Sequence, residues 1–222
     1  MSRVIVVERD VQSSARASAE EFRRQRTSAG TLVVNLVSSP GAGKTSLLQA
    51  TARRWTGLYR LAVLVGDLAT DRDAQRLAPL VEVVQMTTGG ACHLELPLVE
   101  RAFGRLASPE LDFLFIENVG NLVCPASHDL GEHLRVCLLS TPEGDDKPGK
   151  YPKMFRGSGA LIISKTDLLP HVPFSLDAAA DDARQIRPGL PVFPVSSLNG
   201  SGLAAWCHFL EEQRKVRVPK VR

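Results

Sequence analysis

The sequence predicts an α/β fold in which a mainly parallel sheet is flanked by helices. Short apolar stretches alternate with longer amphipathic ones along the chain, as strands and helices do in such folds. The apolar stretches lack the polar alternation of a strand with one wet face, so we expect each strand to be covered on both sides. A glycine-rich segment separates the first apolar stretch from a helix, which predicts a ligand-binding turn at a strand end.

Seven strands are predicted from short stretches rich in branched or aromatic apolar residues. Helices fill the gaps between them, and a stretch rich in Ala, Glu and Arg predicts one more helix, over residues 13–26, before the first strand. The strands are residues 32–37, 61–65, 81–85, 113–116, 136–140, 160–164 and 192–195, and the later helices are residues 44–54, 71–79, 92–107, 175–186 and 203–215.

Length and composition agree with one substantial core. The chain has 222 residues, of which 44% are hydrophobic, and this suits a globular domain rather than a disordered chain. No internal repeat or low-complexity linker indicates a second domain. We therefore expect an extension with a helix over residues 1–30, a nucleotide-binding domain over residues 31–215 and a basic tail over residues 216–222.

Charge and hydropathy argue against nucleic-acid and membrane partners. The formal net charge of +3 is small and dispersed. No stretch approaches the roughly 18 apolar residues that cross a bilayer, and the N-terminus lacks the apolar core of a signal peptide. We expect a cytoplasmic protein.

The four cysteines show no disulfide framework spacing, so they are expected to be reduced. Cys137 lies inside an apolar stretch and Cys207 lies beside Trp206 on a predicted helix, and both are expected to be core residues. Cys92 and Cys124 differ, because each lies beside a turn that contains Gly or Pro.

Residues 38–45 form the predicted phosphate loop. Glycines let backbone N–H groups surround phosphate oxygens, and the helix N-terminus adds positive potential. Lys44 would reach the terminal phosphates, and the Thr45 hydroxyl would bind the Mg²⁺ that bridges them. Ser38 stands where the usual motif has its first glycine. The predicted phosphate contacts are Gly41, Ala42, Gly43, Lys44, Thr45 and Ser46.

A second segment, Ser-Lys-Thr-Asp at residues 164–167, predicts a preference for guanine. The Asp167 carboxylate can accept both the N1 and N2 protons of guanine, while the Lys165 stem packs over the ring. Ser164 stands where such segments commonly have Asn, and Ser196 begins a later loop typical of base support. GTP is therefore favoured over ATP.

Two carboxylates follow predicted strands at the edge where α/β sheets bind ligands. Asp67 is expected to contact the ligand at this strand end, although capping the next helix is the alternative role for Asp67. Glu117 either orients an attacking water or couples to Mg²⁺ through water, and the sequence leaves both roles open. Lys44, Asp67 and Glu117 are the predicted catalytic residues.

Cys92, His93 and Cys124 form a candidate metal site. Thiolate and imidazole ligands suit Ni²⁺ or Zn²⁺. Three ligands do not close a tetrahedral site, so an open position or ligands from a second subunit would be needed. On these residues alone, a structural role for the cysteines is favoured over metal binding. His128 is interpreted as an exposed loop histidine or one paired with Asp129.

The chain resembles the HypB family of nickel-insertion GTPases, which serve the maturation of nickel–iron hydrogenase. The Asn-Val-Gly-Asn-Leu-Val-Cys-Pro and Cys-His-Leu runs are the most specific parts of the resemblance, which spans most of residues 30–205. The matching segments are residues 38–45, 66–70, 92–94, 117–126, 129–132, 146–148, 150–152 and 164–167.

The resemblance implies a P-loop NTPase of the SIMIBI-like class, related to signal-recognition and nitrogenase-iron-protein NTPases, which converts GTP to GDP and phosphate. It places Asp67 near Mg²⁺ or the γ-phosphate, and it makes residues 117–120, with Gly120, a turn that responds to the γ-phosphate. It also places the metal site between the subunits of a homodimer favoured by GTP. The implied partner is a nickel chaperone or a hydrogenase large-subunit precursor.

Departures from the family pattern and two other functions complete the expectations. Residues 1–40 carry neither the cysteine-rich nickel motif nor the histidine-rich stretch of many members, so we do not expect nickel storage. The lysine often found before Cys92 is missing, and hydrolysis should be slow because no convincing arginine finger is present. The alternatives are a regulatory GTP-binding protein with structural cysteines and an ATP-dependent small-molecule kinase.

Overall fold

The computed structural model describes residues 7–67, 70–108 and 110–219, with side chains from residue 13 onward. Within these ranges, seven strands form one sheet in the order β3-β2-β4-β1-β5-β6-β7, and every neighbouring pair is parallel. The predicted mainly parallel sheet is confirmed. The strands are β1 Leu32–Ser38, β2 Leu61–Asp67, β3 Glu82–Thr87, β4 Phe113–Glu117, β5 Leu134–Ser140, β6 Ala160–Ser164 and β7 Val192–Val195.

Helices cover both faces of the sheet, and the described ones include two short helices that the sequence did not predict. In the described part of the chain, no helix combines the length and apolar character needed to cross a membrane. The helices are α1 Val7–Ser28, α2 Lys44–Arg54, α3 Arg72–Leu77, α4 Leu96–Phe103, α5 Lys147–Lys150, α6 Pro152–Gly157, α7 Leu176–Ile186 and α8 Leu203–Arg217.

Strand β1 shows why the apolar stretches form a doubly covered sheet. All its residues are buried, and successive side chains enter different cores. Leu32, Val34 and Leu36 belong to the core cluster beneath α2 and α8, whereas Val33 packs with residues of α1 and α4. Burial on both faces removes the need for polar alternation, as the sequence predicted.

Prolines account for two corrections to the predicted helices. A helix over residues 92–107 would place Pro97 in its interior, and α4 instead begins at Leu96, where Pro97 lies in the first turn. The predicted helix over residues 71–79 ends at Leu77, because Pro79 has no N–H with which to continue the helical hydrogen bonds beyond Ala78. As a result, Cys92 and His93 lie in a loop and not on a helix.

Other element boundaries differ by a few residues. Helix α1 is longer than the predicted residues 13–26, and β3 is shifted from residues 81–85 to Glu82–Thr87. Helix α8 continues to Arg217, so the predicted basic tail begins inside a helix, and residues 220–222 lie outside the described residues. The sheet nevertheless brings the ends of β1, β2, β4 and β6 to one edge, where the predicted ligand-binding segments follow.

Candidate nucleotide and metal sites

The phosphate loop joins β1 to α2 through two glycines with left-handed backbone. Gly41 has φ 73° and Gly43 has φ 95°, conformations that glycine adopts without strain. Lys44 is buried, and its Nζ donates a hydrogen bond to Ser38 Oγ over 3.0 Å. Burial lowers the pKa of Lys44, an effect that the nearby Glu117 opposes. Ser38, which departs from the usual motif, thus provides the hydrogen-bond partner of the loop lysine.

Glu117 connects the end of β4 to the phosphate loop. The Thr45 hydroxyl donates to Glu117 Oε1 over 2.8 Å, and Glu117 Oε2 is buried without a hydrogen-bond partner among the described residues. Burial raises the pKa of Glu117 to about 7, although the nearby Lys44 opposes this rise. A hydroxyl and a carboxylate with an unused oxygen at a phosphate loop are the hard oxygen donors that Mg²⁺ requires.

Asp67 ends β2, the strand that lies beside β4. The Thr70 hydroxyl donates a hydrogen bond to Asp67 Oδ2. The N-cap of α3 is Asp71, so the alternative role of Asp67 as the cap of this helix is wrong. Val65 is in register with Glu117 across the β2–β4 pair, which places both predicted carboxylates at the same edge of the sheet.

The predicted base-recognition segment, residues 164–167, lies beside the phosphate loop. Lys165 has φ 59°, and its Cε lies 3.9 Å from where a Cβ of Gly43 would be. The Ser196 hydroxyl donates to Asp167 Oδ1 over 2.5 Å and fixes that carboxylate. Ser164 Oγ donates to the Ala42 carbonyl over 2.6 Å. The serine at residue 164 therefore joins the base-recognition segment to the phosphate loop.

The predicted metal ligands form a cluster. Ligand atoms of Cys92, His93 and Cys124 all lie within 4.8 Å of one another. The Cys92 and Cys124 sulfur atoms are 2.8 Å apart, and the hydrogen bond between these thiols raises the pKa of Cys92. Neither cysteine is in a disulfide, whereas Cys137 and Cys207 are buried as predicted. A metal ion here would displace the thiol protons.

His128 is part of this cluster's surroundings. Its ring stacks on that of His93, with centroids 3.8 Å apart, and its Nδ1 lies 2.9 Å from the Cys124 carbonyl, to which it donates. Asp129 pairs with Arg23 instead. The interpretation of His128 as an exposed or Asp129-paired loop histidine is therefore wrong, because the side chain is half-buried against two predicted ligands.

The metal cluster also contacts the strand that carries Asp67. A Cβ added to Gly66 would lie 2.8 Å from both methyl carbons of Leu94, which is fully buried next to His93. Only glycine allows this close approach. The end of β2 and the cysteine–histidine loop are consequently packed together.

The structure places every predicted nucleotide and metal residue at this edge of the sheet. Ser46 lies in the first turn of α2, where its hydroxyl accepts a hydrogen bond from Arg76 over 3.4 Å. Sequence reasoning missed the contacts of Ser38 and Ser164, which it treated only as departures from a motif. It also missed Asn35, a buried amide in a mainly apolar strand. A polar residue inside an apolar stretch could have indicated a buried hydrogen-bond partner.

The fold and the site together define a P-loop nucleotide-binding protein with a cysteine–histidine cluster beside the nucleotide loop. Residues 32–194 match the family model described as CobW/HypB/UreG, nucleotide-binding domain. The chain belongs to this family, in its HypB branch.

Two similar proteins support this placement, and a third shares only the fold. Hydrogenase maturation factor HypB of Azotobacter chroococcum is 44% identical over 98% of this chain and 72% of that protein. The crystal structure of HypB from Helicobacter pylori in complex with nickel has a TM-score of 0.87 and 40% identity, covering 94% of this chain and 99% of that one. The signal recognition particle receptor FtsY from Elizabethkingia anophelis, at 14% identity and a TM-score of 0.54 over 96% of this chain and 78% of that one, shares the fold.

Proposed function

We propose that this protein is a GTP-hydrolysing metallochaperone that delivers nickel during maturation of nickel–iron hydrogenase. One observation carries the proposal: Cys124 of the metal cluster follows, on the same segment, the Glu117 that contacts the phosphate loop at Thr45. The similarity to hydrogenase maturation factors and to a nickel complex of HypB supports nickel as the cargo. The protein would act in the cytoplasm, with a hydrogenase precursor or a nickel chaperone as partner.

The nucleotide is GTP in this proposal. The loop from Gly41 to Thr45 would hold the phosphates, and Asp167, fixed by Ser196, would accept the guanine N1 and N2 protons. Thr45 and Asp67 have the oxygen donors that would hold Mg²⁺, whose positive charge would offset the negative charge of the phosphates. Glu117 lies against Thr45, where a carboxylate can orient the attacking water.

The metal site would be completed by a second copy of the chain. Three donors leave a tetrahedral or square-planar metal with an open position. Cys92 is exposed, and Val123, next to Cys124, exposes 61% of its surface. An exposed thiol and an exposed apolar side chain at one face favour a symmetric contact in which both copies contribute ligands.

GTP would gate the metal by holding the segment from Glu117 to Cys124. A γ-phosphate would fix the Glu117–Gly120 turn, and hydrolysis would release it and loosen the Cys124 ligand. Coupling between two binding sites is reciprocal, so if GTP tightens nickel binding, nickel must tighten GTP binding by the same factor. The coupling can therefore be measured in two ways, from the effect of GTP on nickel affinity and from the effect of nickel on GTP affinity.

The test is an anaerobic Ni²⁺ titration combined with light-scattering mass. The unmodified chain and Cys124→Ala are each compared with a non-hydrolysable GTP analogue and with GDP. We expect tighter nickel binding by a dimer in the GTP-analogue state and loss of that binding in Cys124→Ala. Cys207→Ala, which changes a buried cysteine outside the cluster, is the control. Nickel affinity that depends on neither nucleotide nor Cys124 would contradict the proposal.

A further inference from the structure

A chain of buried polar side chains runs from the Glu117–Gly120 turn into the core of the sheet. Asn118 Nδ2 donates to Asn35 Oδ1 over 3.3 Å, and Asn35 Nδ2 donates to Glu132 Oε1 over 3.2 Å. Asn35 is fully buried in the central strand β1, and Asn118 and Glu132 are buried as well. The Asn35 amide therefore links the nucleotide turn to a carboxylate on the far side of the strand.

Arg135 is the next residue in this path of hydrogen bonds after Glu132. Its Nε and Nη2 contact Glu132 Oε1 at 2.9 Å and 2.7 Å. The same guanidinium donates to the carbonyl of Ala126 over 3.3 Å and to that of His128 over 2.5 Å. These carbonyls belong to the 3₁₀ turn Cys124–Ser127 and the residue after it, so Arg135 holds the backbone that positions Cys124.

This path of contacts reaches both loops that carry the candidate metal ligands. His128 donates from Nδ1 to the Cys124 carbonyl and stacks its ring on His93. Any displacement of the Arg135 guanidinium relative to the 3₁₀ turn would move His128. It would thereby alter the relation between His93 and Cys124, which come from different loops.

The chemical nature of these groups suits them to transmit a change. The buried Asn35 amide accepts from one neighbour and donates to the other. If either neighbour moves, a buried polar group loses its hydrogen bond, so the positions of the two neighbours are coupled. A guanidinium has donors in a fixed planar fork, which fixes the two carbonyls relative to Glu132. Apolar residues could fill the same volume, and a buried ion pair is weak evidence for stability alone.

We propose that Asn35, Glu132 and Arg135 are positioning residues that transmit the state of the Glu117–Gly120 turn to the Cys92–His93–Cys124 cluster. We call these three residues the polar relay. The relay acts beside the direct backbone path through residues 121–124, and it rests on the proposed nucleotide-gated function.

The relay is tested by the coupling factor, the ratio of the Ni²⁺ dissociation constants measured with GDP and with a non-hydrolysable GTP analogue. Arg135→Lys keeps the positive charge beside Glu132 and removes the planar fork. Asn35→Leu keeps the branched shape of the side chain, with methyl groups in place of the amide oxygen and nitrogen, and removes both amide contacts. We expect each variant to reduce the coupling factor by at least about threefold, with nucleotide affinity and nickel stoichiometry unchanged.

The double variant separates a relay from two independent defects. If both residues serve one path, Asn35→Leu combined with Arg135→Lys reduces the coupling factor no further than either change alone. Arg214→Gln is the matched control, because Arg214 also pairs with a carboxylate, Asp112, and bonds two carbonyls, but near the start of β1. Its coupling factor should equal that of the unmodified chain.

Two results would overturn the relay, and they are distinguishable. A coupling factor of one in the unmodified chain removes the nucleotide gate and the relay with it. A larger factor that persists unchanged in Arg135→Lys keeps the gate and removes the relay alone. Arg135→Lys alone distinguishes these two results, so the test does not depend on Asn35→Leu. Circular dichroism would show whether Asn35→Leu folds.

Discussion

Gly120 lies directly against Pro40 of the phosphate loop. A Cβ at residue 120 would be 2.7 Å from the Pro40 Cα and 2.8 Å from its nitrogen. Both atoms are backbone, so rotation of a side chain cannot relieve this contact. The segment that ends at Cys124 therefore rests on the loop that would hold the phosphates.

Gly120→Ala should disturb both the fold and the nucleotide site. Overpacking of this kind costs about 1–3 kcal/mol of unfolding free energy, and displacement of Pro40 should weaken nucleotide binding by about tenfold. Urea unfolding and titration with a fluorescent guanine nucleotide measure the two effects. Gly149→Ala is the control, because no described atom lies within 4 Å of a Cβ at that position. Equal nucleotide affinities for the two variants would contradict the assignment.

Ser164→Ala should weaken binding of GTP and GDP alike. The change removes the hydrogen bond to the Ala42 carbonyl, which contributes about 1 kcal/mol, or roughly fivefold in affinity. The preference for guanine should remain, because Asp167 is untouched. Competition between guanine and adenine nucleotides measures both quantities. A change in base preference without a loss of affinity would show that Ser164 acts on the base and not on the phosphate loop.

Asp167→Asn should shift the preference from guanine toward xanthine nucleotides. An amide can donate to the oxygen that xanthine carries in place of the guanine amino group, whereas the carboxylate cannot. Ser196→Ala, which removes the hydrogen bond to Asp167, should weaken GTP binding by about fivefold and keep the base preference. Asp181→Asn on α7 serves as the control. An unaffected preference in Asp167→Asn would remove the base assignment.

His133 should make the nucleotide-free protein less stable in acid. Its Nδ1 accepts from the Val33 N–H, and its Nε2 contacts the Thr27 hydroxyl. Burial, helped by Arg23 and Arg217, lowers the pKa of His133 from 6.5 to about 4. Between these values the unfolded chain binds the proton more readily, so stability falls as pH falls. After allowance for the partly exposed ring, the loss is about 2 kcal/mol.

Glu117 should act in the opposite direction over nearly the same range. Burial raises its pKa from 4.5 to about 7, so the folded chain holds the proton more readily and stability falls as pH rises through this interval. The two slopes should largely cancel in the unmodified protein. As pH is raised from 4.5 to 7, the urea midpoint should therefore decrease in His133→Gln and increase in Glu117→Gln. Identical slopes in all three proteins would contradict both pKa shifts.

The sheet was predictable from sequence because burial on both faces is visible in composition. Each of the seven predicted strands overlaps an observed one. The limits of α3 and α4 follow local signals, Pro79 and Pro97, whereas the conformation of the loop before α4 depends on distant contacts. The loop that holds Cys92 is set by its contact with Cys124 and by the packing of Leu94 on Gly66, and local periodicity contains neither relation.

The site was predictable as a set of residues and less so as a set of contacts. The phosphate-binding and base-binding segments can be predicted from the residue types that follow the strands. The hydrogen bond from Ser164 to Ala42 joins residues far apart in sequence, and so does the path from Asn118 to Arg135. A buried Asn in an apolar strand indicates that such a partner exists, but not which residue it is.

The strand order has a consequence for synthesis of the chain. Strand β1 is made early, yet both of its neighbours, β4 and β5, lie beyond residue 112. Until those strands leave the ribosome, the apolar residues of β1 have no sheet to join, whereas β2 and β3 can pair at once. The nascent chain thus carries an unpaired aggregation-prone segment through much of translation. A guanine nucleotide bound as proposed would protect the chain only after residue 167, because Asp167 supplies the proposed contact to the base.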